Sequence, residues 1–180
     1  MLRTIDPIAA NRRYPASTTP PTNPIRGYFW SEIDSNGDLV QDWFWNGTYW
    51  LSTGIFNTGA TSAGGLISGS GETRCPLSIG DNYNLFLIRA FYGFRVFTTN
   101  NAVDFWGLDF RRADSAGNRT AFALLSTATY AADTYYLITV LINTHVVSSN
   151  VKQIRAGFTK NGAAGSIDIA YNLDYRYARP

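Results

Sequence analysis

The chain of 180 residues has one cysteine (Cys75), one histidine (His145), two glutamates and two lysines. Each scarcity closes off a class of protein. A single thiol cannot build an intrachain disulfide framework or a thiolate zinc cluster. No metal site that needs two histidines or two cysteines is open to it, and no metal or other cofactor is expected. The shortage of Glu and Lys removes strong helix formers. Charge is sparse at 16% of residues, with a net charge of +2, and the arginines are scattered. No basic run interleaved with aromatics points to a nucleic-acid partner. No apolar run is long enough to cross a membrane as a helix, so no membrane partner is expected. The opening "MLRTIDPIAANRRYP" lacks the continuous apolar stretch of a signal peptide. Assembly in a cytoplasm is the expectation.

What the chain does have is 45% hydrophobic residues, 15% aromatics and 16 glycines. With many Tyr, Thr and Asn besides, this is strand-and-turn chemistry. The length suits one large domain, or a medium domain with a small satellite.

Four zones follow. Residues 1–26 hold five of the seven prolines and the stretch "PASTTPPTNP", which predicts an extended segment unable to fold alone. Such a segment is expected to dock on a partner or a neighbouring copy. Leu2, Ile5, Ile8, Arg12, Arg13 and Tyr14 are its candidate contacts; the alternative is packing on its own domain. Residues 27–53 read as a three-stranded antiparallel meander. "GYFWSEID" and "LVQDWFW" flank one Asn-Gly turn, and "DWFW" and "TYWLS" flank another. Asn-Gly between apolar strands predicts a type I′ hairpin, whose two central residues need positive φ. Residues 54–80 read as a Gly/Ser/Thr-rich connector, with "GGLIS" able to make one short strand. From residue 81 to 180 strand follows strand, which predicts a β-sandwich of the jelly-roll kind. Its last stretch alternates cleanly, with Ile167, Ile169, Tyr171, Leu173, Tyr175 and Tyr177 on one face. The fold class is therefore all-β.

The chemistry-bearing residues form no catalytic constellation. His145 lies in the apolar run "LINTHVV", and no G-x-S-x-G elbow accompanies it. The best carboxylate pair, Asp104 and Asp109 around Trp106, is five apart in a strand, so the two point to opposite faces unless a bulge re-aims one. "DSNGD", residues 34–38, imitates the start of a calcium loop but lacks the later ligands; a hairpin turn accounts for it. No enzyme is expected.

The aromatics allow carbohydrate contact. For Trp43, Trp45 and Trp50, joined by Trp30, the favoured reading is instead the core of a module too small to fold otherwise. Trp106 and Tyr92, with Asp104 beside them, are the residues expected to be free for surface contact with a receptor.

The run "PTNPIRGYFWSEIDSNGDLVQDWFWNGTYWLS" resembles bacteriophage tail-fibre and tail-associated proteins. Pro21 and Pro24 lead into Gly27, Trp30 and the W-N-G-x-x-W of Trp45 to Trp50. The resemblance covers residues 20–52. It implies a structural virion protein, a short fibre or adaptor of a tailed phage or a phage-like injection device. It further implies other tail or baseplate proteins as partners, a homotrimer, and a host-surface glycan as a possible receptor. The alternatives are a head or neck decoration protein without a receptor, and a stand-alone carbohydrate-binding module or glycan-degrading enzyme.

Overall fold

The computed structural model describes residues 12–59, 61–62, 65–78 and 83–179, and among these it holds twelve strands and no helix. The chain divides into two units: residues up to Ile55 together with those from Arg176, and Phe56–Tyr175.

The smaller unit contains β1 (Phe29–Ile33), β2 (Leu39–Trp45) and β3 (Trp50–Ser52), paired in antiparallel order as the turn signals require. Two additions complete its sheet. Arg13 and Ser17 bridge in parallel to Phe29 and Glu32 along β1. At the other side, Ala178 and Arg179 pair with Leu51 and Trp50 of β3. Trp30, Trp43 and Trp50 are each at most 1% exposed and form the core. Register explains how. Trp30 lies opposite Trp43 and Trp45 opposite Trp50, so cross-strand neighbours meet, with ring centroids 6.2 and 5.4 Å apart. Each buried indole removes ~150–250 Å² from water, on the order of 4–6 kcal/mol before entropy is set against it. The polar edges are met as well. Trp30 Nε1 donates to Ser17 Oγ and Trp43 Nε1 to Glu32 Oε2, both at 2.9 Å. Glu32, nearly buried, also pairs with Arg179.

The turns depart from the expected type. At Asn46-Gly47 only the glycine has positive φ, 106°. The loop runs four residues between Trp45 and Trp50 because Asn46 Oδ1 accepts from the backbone N–H of Thr48 and Tyr49, at 2.9 and 2.8 Å. The side chain imitates a turn and replaces the two-residue hairpin. Asp34 acts likewise in "DSNGD", its Oδ1 accepting from the N–H of Asn36 and Asp38.

The larger unit is a sandwich of two antiparallel sheets with jelly-roll-like topology. In one sheet β4 (Phe56–Asn57) and β5 (Thr61–Ser62) pair with β12 (Ile167–Arg179), followed by β7 (Asn84–Val96) and then β10 (Tyr136–Val146). The other has the order β6 (Gly71–Ser78), β11 (Gln153–Asn161), β8 (Phe105–Ala113), β9 (Arg119–Ser126). Their inner faces meet through rings: Tyr92 on Phe110 at 5.5 Å and Phe110 on Tyr171 at 5.9 Å. Alternation along β12 holds through Leu173. Asp174 is then buried, held by Arg89 Nε at 2.7 Å and Asn57 Nδ2 at 2.6 Å.

The stretch read as a connector is thus part of the fold. Residues 56–57, 61–62 and 71–78 are strands, and Ile67 bridges to Ile167. Its composition is loop-like, but sheet partners far along the chain supply the order that local propensity lacks.

Candidate assembly surface

The residues expected to meet a receptor are placed elsewhere. Trp106 is 0% and Tyr92 1% exposed. Trp106 sits on the inner face of β8 with its Nε1 donating to the Gly165 carbonyl at 2.8 Å. Tyr92 donates to the Ala123 carbonyl at 2.7 Å; burial, with Asp109 second, pushes its hydroxyl pKa well up. Both were expected at the surface because they border loops, but each lies on an inward row whose polar atom finds a backbone partner. The expectation of free receptor contacts at these two rings is corrected.

Asp104 is half-buried in the loop before β8. Its Oδ1 accepts from Ala163 N–H at 2.7 Å, which, with Asn101, holds its carboxyl below the usual range. Asp109, by contrast, is buried on β8 and gripped by Arg111 Nε and Nη2 at 2.7 and 2.9 Å. The two carboxylates therefore serve different partners and do not converge on a common cleft. His145 stands in β10 opposite Phe86, and desolvation lowers its pKa.

Of the docking candidates, Arg13 and Tyr14 lie against the chain's own smaller unit. Tyr14 packs on Tyr28 and edge-on to Trp50, and Arg13 reaches Ser31 and Asp42. Arg12 accepts the Phe29 N–H on its carbonyl. Leu2, Ile5 and Ile8 lie outside the described residues. Of the four tryptophans expected in the module core, three are buried and Trp45 is half-buried.

A surface that the sequence reading passed over is built from β9 and β10. Thr120 to Val151 is a run of 32 residues with Asp133 as its one carboxylate and no Lys, Arg or Glu. That run makes all of β10 and all of β9 except Arg119, and the two strands end the orders of their respective sheets. The two come within 8 Å of each other between Cα atoms. Leu137, Leu124 and Leu141 are 78%, 72% and 71% exposed. Tyr135 beside them is exposed as well. The inward row of β10, Tyr136, Ile138, Val140 and Ile142, is only half-buried. On β8 the inward row of Trp106, Leu108 and Phe110 is fully covered.

Both strands are bulged. Register breaks between Leu108 and Phe110 opposite β9, and between Leu141 and Thr144 on β10. Ala123 and Asn143 there adopt φ of 51° and 48°. The stretch from Tyr136 to Leu141 stays regular. A shallow groove of about 300 Å³ adjoins it, lined by Phe91, Gly93, Tyr135, Leu137, Ala170 and Asn172. Gly93 makes it possible: a Cβ there would lie 2.3 Å from the Tyr135 hydroxyl. Uncharged apolar end strands are normally blunted by Lys, Pro or a covering loop. Among the described residues no Lys or Pro stands in either strand, and Leu124, Leu137 and Leu141 remain exposed.

No family model and no curated protein matches the chain. Among solved structures, the cyanophage Pam1 capsid asymmetric unit is similar over 68% of this chain and 83% of that one, at 12% identity and a TM-score of 0.43. A structure of infectious bursal disease virus, Gx strain, is similar over 82% of this chain and 38% of that one, at 14% identity and a TM-score of 0.37. The xylan-binding module CBM15 is similar over 67% and 96%, at 17% identity and a TM-score of 0.35. These likenesses, to viral structural proteins and to a carbohydrate-binding module alike, extend to β-sandwich architecture only.

Proposed function

We propose that this protein is a structural subunit of a virus particle, a decoration or adaptor protein that works by being held in an assembly. The observation that supports the reading is the charge-free strip made by β10 and by β9 beyond Arg119, with Leu124, Leu137 and Leu141 in water. An exposed row of this kind favours association. The resemblance of residues 20–52 to phage tail-associated proteins supplies the particle context. A decoration or adaptor role is preferred to a receptor-binding fibre tip, because the rings assigned to receptor contact are buried. A homotrimer is the expected state by that resemblance, and repetition around a symmetric particle then multiplies weak contacts.

Light scattering on the purified chain tests this. An oligomer is expected, and Leu137→Asp with Leu141→Asp should convert it to a folded monomer. A wild-type chain that stays monomeric at all concentrations overturns the reading.

A further inference from the structure

The sheet β6-β11-β8-β9 of the larger unit carries a feature of another kind. Three neighbouring strands of that sheet, β11, β8 and β9, each contribute one arginine to a single row. Arg155 is in register with Arg111. Arg119 lies one step along, opposite Ala113. Like charges directly opposite each other on a sheet are destabilising, so their retention calls for a counter-charge. Glu72 supplies part of it. Its Oε1 takes Arg111 Nη1 at 2.8 Å, and its Oε2 takes Arg119 Nη1 at 2.9 Å with Arg155 Nη1 at 3.6 Å. Asp109 takes the other side of Arg111. That pair lies flat on the sheet because position 157 is glycine; a Cβ there would sit 2.3 Å from Asp109 Oδ1.

Arg111, Arg119 and Arg155 still outnumber Glu72 and Asp109. Arg111 spends its donors on its own carboxylates and on Thr159. Arg119 gives one nitrogen to Glu72 and is 46% exposed along its side chain. Arg155 gives one to Gln153, and its Nε is buried with no hydrogen-bond partner among the described residues. An open cleft of about 490 Å³ lies over these groups, with Ser70, Gly71 and Thr159 along it. A second, of about 300 Å³, shares Arg119 and Arg155 and adds Lys152. At about 4.8 Å between strands, a row across three of them spans about 10 Å, the reach of an extended chain with repeated charges and not of one ion.

We infer that this arginine row binds an acidic polysaccharide, its carboxylates received by the guanidinium groups of Arg119 and Arg155. Hydroxyls at Ser70 and Thr159 suit sugar hydroxyls. A nucleic acid fits less well, since Phe158, the one ring lining the cleft, is buried and offers no stacking platform. The inference is independent of the particle reading.

Calorimetric titration with oligogalacturonate tests it, with a neutral xylo-oligosaccharide, sodium sulfate and a single-stranded oligonucleotide as comparisons. Binding of oligogalacturonate is expected, weakening as salt rises. Arg119→Gln should lower the affinity about tenfold, and Arg119→Gln with Arg155→Gln by a further factor of similar size. Arg119→Gln leaves Glu72 paired with Arg111, so circular dichroism and oligomeric state should be unchanged. The inference is overturned if oligogalacturonate does not bind or if the variants bind it equally well. It is overturned too if the neutral sugar or sulfate binds as tightly, or the oligonucleotide more tightly.

Discussion

The aromatic module and the β9–β10 strip are both dense in apolar side chains, yet one hides them and the other shows them. In the module, Trp30 faces Trp43 and Trp45 faces Trp50 across adjacent strands, and Arg13–Ser17 and Ala178–Arg179 extend the sheet on either side. In the strip, β10 pairs with β7 alone and β9 with β8 alone among the described residues. Leu137 and Leu141 point away from the interior. The difference teaches that apolar density does not decide burial; partners on both sides of a strand do. The module covers its tryptophans within one chain, and the strip leaves its leucines exposed among the described residues.

Breaking the module should cost most. Trp43→Ala, at a fully buried site that also holds the Glu32 hydrogen bond, is expected to destabilise the smaller unit by about 3–5 kcal/mol. Four of the five tryptophans lie in that unit. Urea unfolding followed by tryptophan fluorescence reads it directly, and a loss under one kcal/mol would show the core to be elsewhere. Trp45→Ala sharpens the contrast. Half-buried, that residue should lose less, about 1–2 kcal/mol, by the same measurement.

The paired Leu137→Asp and Leu141→Asp change should leave unfolding within about 0.5 kcal/mol of wild type while abolishing assembly. Comparable destabilisation in the strip and the module would erase the distinction. The smallest effect is expected at Asp104, whose carboxyl is held below its ordinary range by Ala163 N–H and Asn101. A depressed carboxylate contributes stability that is full above about pH 4 and is lost as pH falls further. Asp104→Asn should therefore flatten the acid limb of the stability profile. An unchanged limb would remove that role.

Much of the module was legible in the sequence. Its strands, both turn positions and three of its four core tryptophans follow from Asn-Gly pairs and period-two spacing, which are local signals. The four-residue loop at Asn46 was not, because a side chain competing with the backbone for the same N–H groups looks no different in sequence from a hairpin Asn. The strip was legible in principle as a charge-free run from Thr120 to Val151, but only knowledge that β9 and β10 end their sheets turns that run into a surface. Trp106 and Leu137 show the limit from both sides. Each sits in an apolar strand near a turn, yet one is sealed and the other open.

By itself the sequence determined the all-β class, the hairpins of the smaller unit, and the exclusion of an intrachain disulfide, a thiolate zinc cluster or a paired-histidine site. These depend on composition and on residues a few positions apart. The tertiary structure alone decided which faces look inward, that the connector joins both sheets, and that Arg155 and Arg111 stand side by side. Those outcomes rest on register between strands far apart in the chain. A shift of one residue in that register would turn every side chain to the other face.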